Sequence, residues 1–128
     1  MRYVFDTNAL ISLFDGEMGS NAISEFMHRL ETKEAEGFIS VITLTELYYL
    51  YKQRKGAETA NAVIEQIRLS KLKRAVITSK IALIAGEYKG KAIPIADSLI
   101  AATAKALDAK LITNDDDFKG LGLEIVNF

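Results

Sequence analysis

The chain has no cysteine, no tryptophan, one proline and one histidine among 128 residues. Without cysteine there is no disulfide framework, no thiolate nucleophile and no thiolate zinc or iron–sulfur site, which fits a cytoplasmic protein. A single proline argues against disordered linkers. No apolar run reaches the length of a membrane span, and the start Met1-Arg2-Tyr3-Val4-Phe5-Asp6 lacks the pattern of a signal peptide. The size suits one domain over residues 1–128 with one sizeable core. Net charge is −1, so there is no overall basic footprint for nucleic acid. Two local clusters are basic, Lys52/Arg54/Lys55 and Arg68/Lys71/Lys73/Arg74. Each alone reads as a solvated helix face or end.

Charge itself is missing from three stretches, Tyr3–Phe14, Phe38–Tyr51 and Ala92–Ala104. Together they hold 39 residues, and at the chain's 26% charged fraction about ten charges would fall there. Only Asp6, Glu46 and Asp97 do. A carboxylate in a segment apolar enough to be buried is costly without a cationic partner. A fourth acidic place, Asp115-Asp116-Asp117, follows the apolar pair Leu111-Ile112.

Periodicity and turn signals predict strands at Arg2–Phe5, Phe38–Val41, Ala75–Ile77, Leu111–Thr113 and Glu124–Val126. Helices are predicted over Thr7–Phe14, from Ser20 or Asn21 to about Lys33, Thr43–Lys55, Ala57–Ser70, Ser79 to about Gly86, and Pro94 to about Leu107. Gly37 ends the second helix in this reading. Thr43-Leu44-Thr45-Glu46 matches a capping box, and Ser79 and Pro94 open their helices. Strands alternating with helices predict an α/β, three-layer α/β/α domain whose short, mainly parallel five-stranded sheet is flanked by helices. Ligands bind such sheets outside the carboxyl ends of the strands. All four acidic places fall on that edge.

Each acid has an ordinary explanation. Asp6 can cap the first helix, Glu46 can close the capping box, Asp97 can complement a helix dipole, and Asp115–Asp117 can form a solvated turn. Their conjunction on one edge is what these roles leave unexplained. An all-carboxylate donor set favours Mg²⁺ or Mn²⁺ over zinc, and His28 lies within a helix as a surface or packing residue. Metal-assisted hydrolysis at phosphorus is the chemistry these residues support. The run Leu47-Tyr48-Tyr49-Leu50-Tyr51 is open to three roles: core packing, a protein interface, or base stacking.

Four fragments resemble the PIN-domain ribonucleases, in particular VapC-type toxins of prokaryotic toxin–antitoxin pairs. They are Val4-Phe5-Asp6-Thr7-Asn8, Thr43-Leu44-Thr45-Glu46-Leu47, Ile95–Ala104 around Asp97-Ser98, and Leu111-Ile112-Thr113-Asn114-Asp115-Asp116-Asp117-Phe118. The resemblance spans essentially the whole chain. It implies an Mg²⁺- or Mn²⁺-dependent endoribonuclease whose acidic quartet is Asp6, Glu46, Asp97 and Asp115. Asp6 and Asp97 would be the principal ligands, and Glu46 would position or deprotonate the attacking water. Asn8 and Thr113 would orient the carboxylates, and Asp117 competes with Asp115 for the fourth place. It also implies an RNA substrate, a small VapB-like antitoxin, a homodimer and no membrane. Two alternatives stay open. One is a Mg²⁺-binding receiver-like signalling module, which normally needs paired acids after strand one. The other is a PIN-like fold that binds RNA or a partner without turnover.

Overall fold

Strand β1 (Arg2–Phe5) sends Tyr3 and Phe5 to one face of a sheet and Val4 to the other, the two-residue period of a strand buried on both sides. The computed structural model describes residues 1–128. After β1 come α1 (Thr7–Asp15), α2 (Ser20–Glu31), β2 (Glu36–Ser40), α3 (Val41–Lys55) and α4 (Ala57–Leu69). These are followed by β3 (Lys73–Ala75), α5 (Ser79–Lys89), α6 (Ile95–Ala106), β4 (Lys110–Ile112), a 3-10 turn (Asp116–Phe118) and β5 (Ile125–Val126).

The five strands are ordered β3-β2-β1-β4-β5 and every pairing is parallel. The expected α/β/α architecture is therefore present, with an all-parallel sheet. One core packs α1 to α4 on the face of Phe5, Ile39 and Ile112. The other packs α5 and α6 on the face of Val4 and Leu111. A receiver-type sheet follows the order 2-1-3-4-5, so the strand order separates this fold from that alternative. Connections leave β1 toward β2 on one side and return to β4 on the other. The crevice at this reversal, above Phe5 and Ile112, is where open parallel sheets bind ligands.

Several boundaries differ from the sequence reading, each for a tertiary reason. α2 stops at Glu31 because Lys33 takes a left-handed φ of 62°. Gly37 does not end that helix but lies within β2, where a Cβ would stand 2.5 Å from Leu30 Cδ1 and 3.1 Å from Leu72 Cδ2. Gly19, not Ser20 or Asn21, holds the cap position of α2. β3 pairs two residues earlier than predicted. α5 runs past Gly86 because Tyr88 still reaches the core, and its cap is Thr78, which accepts from the Ile81 N–H at 3.2 Å. Pro94 precedes α6 as its cap residue, and its carbonyl accepts the first helical bond from Ser98.

α3 carries the main correction. It opens at Val41 with the buried Ser40 as cap, whose hydroxyl accepts from the Ile42 N–H at 3.3 Å. Thr43-Leu44-Thr45-Glu46 is therefore no capping box, and Glu46 stands in the second turn, free of any capping duty.

Candidate metal centre

Asp6 ends β1, with its N–H bonded to the Ile112 carbonyl at 3.0 Å, which extends the β1–β4 ladder by one residue. It holds the cap position of α1 but makes no side-chain cap bond. The Thr113 hydroxyl instead donates to Asp6 Oδ2 at 2.8 Å. The Asp6 side chain is almost fully buried. That burial pushes its pKa up to about 6, opposed by the Thr113 hydroxyl and the adjacent Thr7 backbone N–H and reinforced by Asp115 and Glu46.

Thr113 follows β4, and its hydroxyl oxygen also accepts from the Asp115 N–H at 3.0 Å. One oxygen thus ties the acid after β1 to the loop after β4. Asp115 Oδ1 accepts from the Asp117 N–H at 2.9 Å and so caps the 3-10 turn. Asp115 and Asp117 bring carboxylate oxygens within 4.8 Å of one another and of Asp97. Asp116 turns outward to Lys119, 2.8 Å away.

Asp97 sits in the first turn of α6. The next residue, Ser98, is buried and spends its hydroxyl on the Ile95 carbonyl at 2.6 Å. The Asp97 pKa is pushed up to about 7, first by burial and then by Asp6, Asp115, Glu46 and Asp117. The other four acids therefore all act on Asp97. Glu46 Oε1 accepts from the Thr7 hydroxyl at 2.6 Å, and that hydroxyl lies 3.1 Å from Thr43 Oγ1.

A cavity of about 520 Å³ opens over this edge, lined by Asp6, Asn8, Glu46, Tyr49, Gln53 and Asp97 among others. Asp97 is common to the cavity and to the tight Asp97/Asp115/Asp117 group. The structure brings the four sequence-predicted acids and Asp117 to one place. It puts Thr113 against Asp6, whereas Asn8 is exposed at the rim of the cavity. Sequence reasoning missed Thr7, which holds Glu46. Nothing in the spacing distinguishes Thr7 from Asn8 until helix α1 turns one inward and the other out. His28 is exposed on α2.

None of the chain's ion pairs includes any of these five acids. Like charges crowded on one edge without a cationic side chain, Asp6 buried, Glu46, Asp97 and Asp115 half-buried and Asp117 exposed, all offering oxygen, fit a hard divalent cation such as Mg²⁺ or Mn²⁺. Asp97, Asp115 and Asp117 would hold it, with Asp6 and Glu46 adjoining.

The family model described as PIN domain matches residues 3–123 of the chain. Among solved structures, VapBC2 from Rickettsia felis bound to a DNA fragment from its promoter is similar at 28% identity and a TM-score of 0.83, covering 99% of this chain and 98% of that one. A toxin–antitoxin complex from Klebsiella pneumoniae is similar at 27% identity and 0.71, covering 97% and 95%. VapC20 from Mycobacterium tuberculosis, a sarcin–ricin loop cleaving toxin, shares the fold at 20% identity and 0.73, covering 94% and 95%. Among curated proteins none matches.

Proposed function

The chain belongs to the PIN-domain family, and on that premise we propose that it is a metal-dependent endoribonuclease, the VapC-type toxin of a VapBC-type toxin–antitoxin pair. The observation that carries this reading is the convergence of Asp97, Asp115 and Asp117, whose carboxylate oxygens lie within 4.8 Å of one another, with Asp6 and Glu46 beside Asp97 in the cavity and no cationic side chain paired with any of them. Such a site is poised to exchange protons for a divalent ion near neutral pH. The bound ion, Mg²⁺ or Mn²⁺, would supply a more acidic water and offset charge on the phosphoryl group.

The chain's own residues divide the remaining work. Asp97, Asp115 and Asp117 would hold the cation, with Asp6 adjoining them. Thr113 fixes Asp6 and the Asp115 loop relative to each other. Glu46 is held by Thr7 through Oε1 and lines the cavity, where its carboxylate would accept the proton of the attacking water. Water adds to phosphorus, one P–O bond breaks, and the departing oxygen leaves with a proton. The same reading makes the partner a small VapB-like antitoxin, as in the Rickettsia felis complex. It makes the working state a cytoplasmic homodimer; no helix of the chain is long and apolar enough to cross a membrane.

Purified protein incubated with single-stranded and structured RNA, including tRNA and ribosomal fragments, tests the reading. Cleavage is expected with Mg²⁺ or Mn²⁺ and none with chelator. Asp97→Asn should lower the rate at least about 100-fold, since a metal contributes several kcal/mol at the transition state. Absence of metal-dependent cleavage across the panel sinks the enzyme reading, and an active Asp97→Asn protein refutes the assignment of Asp97. A small reading frame with a DNA-binding segment upstream of the gene is expected for the toxin assignment.

A further inference from the structure

The three tyrosines of α3 have three different surroundings. Tyr51 is buried and donates to Asp15 Oδ1 at 2.7 Å. Tyr48 packs against the first core, with Lys52 Nζ 5.8 Å from its ring centroid. Tyr49 is 53% exposed and lines the acidic cavity, where no packing role accounts for an aromatic ring. Glu46, Tyr49, Leu50 and Gln53 are spaced i, i+3, i+4 and i+7, so they share one face of the helix, and all four line that cavity. At the helical rise, Tyr49 stands about 4.5 Å and Gln53 about 10.5 Å along the axis from Glu46. Leu50 and Ile11 give the same wall an apolar surface. Lys52, Arg54 and Lys55 in the last turn of α3 lie off this face: Lys52 sits against Tyr48 and Arg54 pairs with Asp15.

A nucleotide strand matches that sequence of surfaces: a phosphate at the carboxylate centre, a base against an aromatic face, then a base edge at an amide. We propose, resting on the ribonuclease reading, that Tyr49 is the stacking platform for the base beside the scissile phosphate and that Gln53 reads the edge of the following base. Stacking tolerates any base because each has a π-face. The Gln53 amide, both donor and acceptor, adds discrimination. The surface therefore selects unpaired RNA, since a base held in a duplex has no free face to offer the ring.

The chain contains no tryptophan, so Tyr49→Trp places a single indole in the cavity. Titrating that protein in Mg²⁺ with a cleavage-resistant 2′-O-methyl single-stranded oligonucleotide should quench its fluorescence. In cleavage assays Tyr49→Leu should raise KM roughly 5- to 150-fold, the equivalent of about 1–3 kcal/mol per stacked base. Tyr49→Phe should restore KM to near the native value, which a merely structural role for the hydroxyl or the helix would not predict. Gln53→Ala should narrow the differences in kcat/KM among oligonucleotides that differ at one base. Unquenched fluorescence overturns the proposal, and so does an unchanged KM for Tyr49→Leu. Quenching by a basic peptide but not by the oligonucleotide overturns it too, assigning the ring to a protein partner. Quenching by the oligonucleotide in a protein that cleaves no RNA supports the stacking surface while refuting the ribonuclease reading.

Discussion

Asp6 and Asp97 set how this protein responds to pH. Both carboxyls are raised in the folded chain, to about 6 and about 7, from an ordinary value of 3.8. The folded state therefore holds protons that the unfolded chain has already released, and folding loses stability as pH rises from about 4 to about 8. For Asp6 the shift corresponds to about 3 kcal/mol between those limits. The melting temperature of metal-free protein in chelator is accordingly expected to fall over this range, by more than in an Asp6→Asn/Asp97→Asn double variant. A profile that instead rises with pH, or a double variant that melts well below the native protein at pH 8, would return both acids to a helix-capping role. Asp6 also illustrates the limit of reading one residue. Its sequence context is that of a cap, and only the position of Thr113, 107 residues away, shows that its carboxylate is engaged elsewhere.

At the scale of elements, most of the architecture was legible because pattern and burial agree. α6, apolar nearly all round in sequence, has Ile100, Ala101, Ala102 and Ala104 fully buried. The strands around β1 read as short apolar runs because the sheet is covered on both faces. The misplacements occurred where a distant contact chose between local options. Gly37 looks like a helix terminator, yet its missing Cβ is what lets Leu30 and Leu72 close over β2. Thr43 and Glu46 have the spacing of a capping box, but β2 delivers the chain to Ser40 first, and both side chains are left to meet Thr7. Ser40→Ala should thus cost about 0.5–2 kcal/mol, measured as a lower urea midpoint with an unchanged slope. Thr43→Ala should leave the cap intact, so a loss of helix-start protection in amide exchange at Ile42 is expected only for the Ser40 variant.

For the whole molecule, a ligand held only by the folded state adds RT ln(1 + [L]/Kd), about 2.7 kcal/mol at a hundredfold excess over Kd. Millimolar Mg²⁺ or Mn²⁺ is expected to raise the melting temperature by several degrees at pH 8, less at pH 5 where protons occupy the carboxylates, and hardly at all in Asp97→Asn. An equal rise in that variant would place the ion elsewhere. The convergence behind this behaviour was visible in the sequence as an edge but not as a site. Strand order decides which loops adjoin, and no local pattern encodes that β1 lies between β2 and β4. The β1–β4 pairing, with Tyr3 opposite Lys110, also gives the molecule a schedule. Asp6 and Asp115 are 109 positions apart, and at about 5–20 residues per second roughly 5–20 s of translation separates them. For that interval the nascent chain carries half a centre and cannot gather its acids until the last strands are made.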